Sequence, residues 1–409
     1  MKIRYLLEDF RVDEVPALPR GHGPFALYRL KKTGWTTPDA IDLVLQAWKT
    51  PWEAVSFGGL KDRHAITTQH FTIHGGKGGN LGRLREPGVS VEFIGHITQP
   101  FTSQNIDSNR FRLVLRDIPA SNRQPLEEAL EQVGLTGLPN YFDDQRFGSV
   151  HSLEEGFVGL HLVKGAFDKA LRLALAGTYS HDSAPTKAEK KTLLDHWGDW
   201  QYLLDNLPRS HARSLCAYLR DHPTKFRGAM ERLRPELKGL YLAAYQSWIW
   251  NQGLALWLTE NAPASDLIPL PGRLFAWPAP LRLQGSWAEQ WRSKQLTLPC
   301  RRAHLPADHP DRGLFDRILA KDDLKLDDLR VPGTRELFFS RGFRPVLLPV
   351  SELRATWKPD DQHPGQLAAE LDFRLPRSSY ATMLVKRLQA ATGGQTTETV
   401  EETADTASE

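Results

Sequence analysis

One short segment places a carboxylate between two cations, shortly after a pair of glycines. It reads Gly58-Gly59-Leu60-Lys61-Asp62-Arg63. The glycines allow a tight turn, and the β-branched and aromatic run from Ile66 to Ile73 predicts a strand. Flanking cations favour an ionised carboxylate, which can act as a nucleophile or a base toward a sugar carbon. The same spacing is also typical of a solvated Lys-Asp-Arg turn, so spacing alone leaves both interpretations open.

A second segment could hold a nucleobase. It runs from Asn140 to Gly148 and reads Asn-Tyr-Phe-Asp-Asp-Gln-Arg-Phe-Gly. Aromatic rings, an amide and an arginine together offer stacking and hydrogen bonds to a base turned out of its helix. Burial in an ordinary hydrophobic core is the other interpretation of these aromatic residues.

Metal chemistry is poorly supported by the residues present. Asp143 and Asp144 suggest a metal-dependent nuclease, but adjacent acids on a strand point to opposite faces. The histidines His64, His70 and His74 have no nearby cysteine or carboxylate that would complete a zinc site. We therefore do not expect a metal site.

The composition is that of a globular intracellular protein. A chain of 409 residues suggests two domains. Cys216 and Cys300 are its only cysteines, too few for a disulfide framework, which favours the reducing cytoplasm. The first residues have no apolar signal sequence. The apolar stretch Leu240 to Leu258 is interrupted by polar residues, so it predicts a buried core helix and no membrane span.

The net positive charge lies in the part of the chain before its acidic C-terminal tail. The chain carries a net charge of +3, and residues 391–409 contain five acids and no Lys or Arg, which leaves +3 + 5 = +8 on the remainder. A basic body is compatible with a polyanionic partner. The tail 391–409 has almost no large apolar residues and is expected to be disordered.

The pattern of elements predicts an α/β chain with a helical middle. Strands are expected at Asp9–Val15, Phe111–Leu115 and Leu371–Leu375, and a helix begins at Thr37-Pro38 with Thr37 as its N-cap. Ser183–Lys191 reads as an exposed connector. We predict a mixed-sheet catalytic domain formed by 1–165 and 335–390, with a second domain, 166–334, inserted into it.

These segments, in this order, resemble the TruD family of tRNA pseudouridine synthases. Gly59-Leu60-Lys61-Asp62-Arg63-His64-Ala65 is similar to the catalytic motif of the family, with Asp62 at the position of its aspartate. Three departures are visible. Asp143 stands where the family usually has Gly, and Ser378-Ser379 where it commonly has Gly-Ser. Ile106-Asp107-Ser108-Asn109 stands where Leu-x-Gly-Asn is common, without the Gly. The other segments that carry the resemblance are Glu8–Val12, Lys32–Thr37, Asn109–Arg116, Asn140–Gly148 and Leu375–Thr382.

The resemblance implies a pseudouridine synthase fold with an α/β insertion domain, and isomerisation of uridine at position 13 of tRNA. It implies tRNA as the partner and a reaction that needs no cofactor or metal. We expect a monomer without membrane association. The alternative is a catalytically silent RNA-binding protein acting as a tRNA folding chaperone, against which the intact Lys61-Asp62-Arg63 argues.

The resemblance also implies roles for particular side chains. Asp62 would attack the ribose or remove its 2′ proton. The others would bind or enclose the substrate: Phe10 and Phe142 would pack on the flipped uracil, Asn140 would hold the site loop, Tyr380 would close the pocket, and Lys32 and Lys61 would steer phosphates or support Asp62.

Overall fold

A computed structural model describes residues 1–17, 21–150, 152–179, 182–283, 287–334, 337–393 and 397–398. The described residues form two compact units. The first comprises Met1–Pro139 together with the described residues of Leu347–Glu401, and the second comprises Asn140–Val346.

The strands among the described residues are β1 (Lys2–Ile3), β2 (Phe10–Pro16), β3 (Phe25–Thr33), β4 (Val55–Phe57), β5 (Ile66–His74), β6 (Val89–Ile97), β7 (Ile106–Ile118), β8 (Leu138–Pro139), β9 (Leu267–Leu270), β10 (Trp277–Pro280), β11 (Gln295–Thr297), β12 (Phe343–Pro345), β13 (Leu347–Leu348), β14 (Ser351–Pro359), β15 (Leu367–Pro376) and β16 (Thr397–Glu398). The α-helices are α1 (Thr37–Trp48), α2 (Arg123–Thr136), α3 (Val158–Val163), α4 (Phe167–Ala176), α5 (Ala184–Asp195), α6 (Trp200–Asn206), α7 (His211–Asp221), α8 (Phe226–Glu231), α9 (Pro235–Asn261), α10 (Trp287–Ser293), α11 (Pro310–Leu319) and α12 (Thr382–Thr392).

The first unit is built on one mixed sheet. Its main path runs β14-β15-β7-β2-β5-β3-β6, with β4 beside β5, β1 beside β7 and β16 beside β1. Strands β2 and β5 are parallel, and Arg11 lies opposite Ile66. This parallel pair at the centre of an otherwise mostly antiparallel sheet confirms the mixed α/β class.

Helix α1 covers one face of β3 and β5. Its buried face, including Ile41, Val44 and Trp48, packs with Tyr28 of β3 and Phe71 of β5 in one core cluster. The helix was predicted to begin with Thr37 as its N-cap. The N-cap is instead Thr36, whose side chain accepts a hydrogen bond from the backbone N–H of Asp39, which leaves the hydroxyl of Thr37 available for other contacts.

Helix α9 is the central element of the second unit. It spans Pro235–Asn261, and Tyr245, Trp250 and Leu254 are fully buried. This confirms the prediction of a core helix for the stretch from Leu240 to Leu258. None of the helices in the described part of the chain has the length and hydrophobicity needed to cross a bilayer.

The division between the units differs from the predicted domain boundaries. We expected boundaries near 165 and 335, whereas the units divide between Pro139 and Asn140 and between Val346 and Leu347. The backbone N–H of Asn140 donates to the carbonyl of Val346, and Phe142 is hydrogen-bonded to Asn251 of α9. These contacts tie the start of the Asn140–Gly148 segment to the second unit.

Two other expectations concern local structure. Ser183–Lys191 was expected to be a connector but begins α5, because Ser183 caps the helix through the backbone N–H of Thr186 and a proline follows in the first turn. In the predicted tail 391–409, α12 ends at Thr392, and Thr397–Glu398 pair with Lys2–Ile3. The rest of the tail beyond Gly393 lies outside the described residues, so its disorder stays a prediction.

Ser378 occupies a backbone conformation that suits glycine. Its φ is 61°, in the left-handed region that costs a residue with a Cβ of order 1 kcal/mol or more. Ser378→Gly should therefore raise the free energy of unfolding by about 0.5–1 kcal/mol, measured by urea denaturation. Ser379→Gly is the matched control, since Ser379 is not in that conformation, and it should lower stability. Equal effects of the two changes would contradict this account.

Candidate active site

The loop between β4 and β5, which carries Asp62, is held by hydrogen bonds from Lys32. The ammonium Nζ of Lys32 donates to the backbone carbonyl of Asp62 at 2.7 Å, that of Trp35 at 2.7 Å and that of Lys61 at 3.3 Å. An ammonium group has three protons to donate, so these carbonyls satisfy it completely. Strand β3 thereby fixes the backbone on both sides of the Lys61–Asp62 peptide.

Burial decides which of its two predicted roles Lys32 can play. The residue is 0% exposed, so its ammonium cannot meet an RNA phosphate, and support of the Asp62 loop is the role that the contacts favour. Burial lowers the pKa of Lys32 to about 8, against the opposing influence of Asp62. Below that pH the side chain keeps all three protons for the three carbonyls.

Thr37 and Gln69 hold the same loop by its other backbone groups. The N–H of Lys61 donates to the Thr37 hydroxyl at 2.9 Å, and that hydroxyl donates to the side-chain oxygen of Gln69 at 2.8 Å. The Gln69 amide donates to the carbonyl of Gly59 at 3.3 Å. The glycine at 58 is required by close packing, since a Cβ there would lie 2.5 Å from the side chain of Ile106.

Lys61 points away from solvent into a small polar cluster. Its Nζ donates to Oδ1 of Asn109 at 2.9 Å and lies 3.4 Å from Oε2 of Glu14. The other oxygen of Glu14 accepts from the backbone N–H of His70 at 2.8 Å. The Glu14 side chain is fully buried and the Lys61 side chain is mostly buried, so these contacts also favour support of the loop over phosphate steering.

Arg4 is the charged partner of Asp62. Its Nη2 donates to Oδ2 of Asp62 at 3.0 Å, and 40% of the Asp62 side chain remains exposed. The guanidinium lies over the ring of Phe10, 4.3 Å from the ring centre. The backbone of Arg4 is left-handed, with φ 57°. The site thus presents an oriented, partly accessible carboxylate beside a mostly buried cation.

The sequence did not predict Arg4 as a partner of Asp62, and the structure places Phe10 in an environment that differs from the predicted one. Arg4 and Asp62 are 58 positions apart, and no local motif marks the pair. Phe10 was expected to face the uracil, but it is only 2% exposed and lies beneath Arg4. A base could stack on Phe10 only if the guanidinium moved.

Asn140 and Phe142 belong to the second unit and are held there. The side-chain amide of Asn140 donates to the carbonyl of Pro345 at 3.0 Å, and the backbone carbonyl of Asn140 accepts from Nε of Arg344 at 2.9 Å. The amide of Asn251 accepts from the N–H of Phe142 at 2.9 Å and donates to its carbonyl at 2.8 Å. This irregular segment is therefore fixed by side chains from α9 and β12.

The three aromatic residues of this segment differ in burial. Tyr141 and Phe147 are buried, and the Tyr141 hydroxyl donates to the carbonyl of Pro278 at 2.8 Å. Phe142 is half-buried. Its ring meets Trp250 edge to face at 5.7 Å. Of the three, Phe142 is the residue that is not fully buried.

Tyr380 lies in the first unit, on the connection between β15 and α12. It is half-buried, and its carbonyl accepts from the N–H of Met383 at 3.1 Å. The predicted residues thus form two groups. Asp62, Phe10, Lys32, Lys61 and Tyr380 belong to the first unit, and Asn140 and Phe142 belong to the second. Among the residues that the structure describes, no group of three His, Cys, Asp or Glu is placed to hold a metal ion.

A mixed sheet that carries a carboxylate on a braced loop is compatible with an RNA-modifying isomerase, and comparison with known proteins identifies the family. The family model described as tRNA pseudouridine synthase D (TruD) matches residues 1–269. The chain belongs to the TruD family of tRNA pseudouridine synthases. Its activity class is accordingly that of an isomerase.

Individual relatives match over nearly the whole chain. A Methanococcus maripaludis protein assigned as tRNA pseudouridine synthase D 1 is 27% identical over 95% of this chain and 99% of its own length. The Leptospira interrogans tRNA pseudouridine synthase D is 27% identical over 93% of this chain and 94% of its own. A crystal structure from Methanosarcina mazei, assigned to TruD, has a TM-score of 0.71 at 23% identity, covering 95% and 93% of the two chains, and supports the fold.

Lys32→Met should disable the site while Lys31→Met should not. The methionine would leave three carbonyls without their donor, at about 1–3 kcal/mol for each group that stays buried. A displaced Asp62 should then lower turnover by about 100-fold or more, measured on tRNA substrate. Lys31 is the neighbouring lysine but is exposed, which makes it the control. Similar losses in both variants would exclude the bracing role.

Proposed function

We propose that this protein converts uridine at position 13 of tRNA to pseudouridine, with Asp62 as the catalytic carboxylate. Asp62 either attacks the ribose or removes its 2′ proton; both routes need an ionised carboxylate that reaches the sugar. The bond between N1 of uracil and C1′ of ribose breaks, the uracil turns within the site, and C5 bonds to C1′. C5 then releases its proton and N1 takes one up, so the product is an isomer of the substrate and no redox cofactor enters the balance.

The observation that carries the proposal is the ion pair between Arg4 and Asp62. A carboxylate that accepts from one guanidinium nitrogen at 3.0 Å is oriented, yet its 40% exposure keeps it accessible to a ribose. The Lys32 contacts hold its backbone at the same time. A surface turn with only a structural role would not require a buried ammonium beneath it, because burying a charge is costly unless it is fully paired.

Phe142 is the residue that we assign to the uracil. Its half-buried side chain and the two hydrogen bonds that hold its backbone support this assignment. Asn140 holds the same segment through Pro345. We assign Phe10 an indirect role, as the surface on which Arg4 rests, and Tyr380 the closing of the pocket.

The substrate and setting follow from the same assignment. The family acts on tRNA, and a basic body outside the acidic tail suits a phosphate backbone. We expect the protein to act in the cytoplasm as a monomer that needs no metal or other cofactor and does not associate with a membrane. Lys32 and Lys61 contribute by bracing the loop.

Asp62→Asn should abolish isomerisation and leave tRNA affinity within a few-fold of wild type. The amide keeps the shape of the side chain but cannot act as a base or nucleophile, whereas affinity comes mostly from phosphate contacts elsewhere. Turnover is measured by release of tritium from C5-labelled uridine in tRNA, and affinity by filter binding.

Asp107→Asn, at an exposed carboxylate on β7, serves as the control and should retain full turnover. Appreciable tritium release by folded Asp62→Asn would remove Asp62 from the chemistry. If wild-type protein bound tRNA without releasing tritium, the chaperone alternative would replace the enzyme assignment.

Phe142→Ala should impair chemistry more than folding. Base–aromatic stacking contributes roughly 1–3 kcal/mol, so turnover should fall by roughly 10- to 100-fold. The melting temperature should fall less than for Phe147→Ala, because Phe147 is buried and Phe142 is not fully enclosed. Calorimetry and the tritium assay measure the two effects. If Phe142→Ala unfolds the protein while Tyr141→Ala spares stability and cuts turnover, the two aromatic roles are reversed.

A further inference from the structure

The ring of Phe142 is covered by an arginine that lies far away in the sequence. The guanidinium carbon of Arg344 lies 4.1 Å from the centre of the Phe142 ring, and 5.4 Å from that of Trp250. At 4.1 Å the guanidinium is in direct contact with the ring. Arg146 also approaches Phe142, but its guanidinium carbon is farther away, at 5.5 Å. One side of the ring is therefore occupied by the side chain of Arg344.

Arg344 is fixed in that position by the protein itself. It belongs to β12, which pairs with β11 in the second unit, and it is only 8% exposed. Its Nε donates to the backbone carbonyl of Asn140 at 2.9 Å. A single side chain thus contacts the backbone at 140 and the ring at 142, two of the positions assigned to substrate binding.

The backbone of Phe142 is already held by another residue. Asn251 of α9 pairs with both its N–H and its carbonyl. The Phe142 side chain can still rotate unless another residue restrains it. A half-buried phenyl ring keeps some of that freedom unless a neighbour lies against its face. Arg344 is that neighbour, and its planar guanidinium matches a ring face better than an ammonium does.

We propose that Arg344 is a positioning residue that fixes the orientation of the Phe142 ring for stacking on the uracil. Its guanidinium covers one face of the ring, so a stacked uracil would use the opposite face. Because Arg344 is buried and bonded to Asn140, it acts through Phe142 and does not bind RNA phosphate. The proposal rests on the stacking role assigned to Phe142 above. A ring that is already oriented reaches its productive geometry at a lower entropic cost.

Two substitutions separate the contacts that Arg344 makes. Arg344→Gln keeps an N–H donor at the chain position of Nε but removes the cation from the ring. Arg344→Lys keeps a cation but loses the planar group and the Nε donor. Each change is made in wild type and in the Phe142→Leu background. The measurements are single-turnover tritium release at saturating tRNA, the tRNA dissociation constant at several salt concentrations, and thermal unfolding.

In wild type, Arg344→Gln should lower the single-turnover rate constant by about 5- to 30-fold, the range expected for loss of a cation–π contact of this kind. Arg344→Lys, which keeps a cation, should lower it less. In the Phe142→Leu background the same change should cost less than about 2-fold, since residues that act through one another are not additive. The tRNA dissociation constant and its salt dependence should stay within about 2-fold. If Arg344→Lys fails to fold, Arg344→Gln decides the matter alone.

Three results would overturn the proposal. Equal losses in both backgrounds would show that Arg344 does not act through Phe142. A weaker tRNA complex with a shallower salt dependence would show that Arg344 contacts phosphate. If Phe142→Leu by itself leaves the rate constant unchanged, the stacking role of Phe142 fails as well. The first two results leave that role intact, so the two failures are distinguishable.

Discussion

A buried ammonium group holds the candidate site together. Lys32 has no exposed surface, and a charge in that position is tolerated only if each of its protons is bonded. The carbonyls of Trp35, Lys61 and Asp62 provide those bonds. The strand and the loop therefore depend on each other. Without the loop the ammonium of Lys32 would be unpaired, and without that ammonium the loop carbonyls would lose their donor. The position of the Asp62 backbone follows from this requirement.

The sheet explains why the supporting residues come from distant parts of the chain. Strands β2, β3, β5 and β7 are neighbours along its main path. They contribute Glu14, Lys32, Gln69 and Asn109 to the support of one loop. Because side chains alternate between faces along a strand, the exposed Lys31 and the buried Lys32 serve different purposes although they are adjacent. A loop supported in this way is suited to catalysis, which needs a rigid scaffold beneath a chemically accessible segment.

In the second unit, too, an irregular segment is held by side chains from distant elements. Residues 140–143 form no helix or strand, so their backbone groups need partners from elsewhere. Asn251 of α9 and Arg344 of β12 provide them. Helix α9 has apolar residues around most of its circumference because it is the core of this unit, and one polar residue within it, Asn251, serves the neighbouring segment. Buried polar side chains of this kind restrict the local structure because they pair with its backbone groups.

The sequence alone determined the parts of this protein that are encoded locally. Periodicity and β-branched content predicted β5, α9 and the mixed α/β class, and the motif around Asp62 indicated the family that the comparisons confirm. Only the tertiary structure revealed Arg4 as the partner of Asp62 and showed that Phe10 lies beneath it. Ion pairs and burial depend on which distant segments the sheet brings together, and no pattern within a few residues records that.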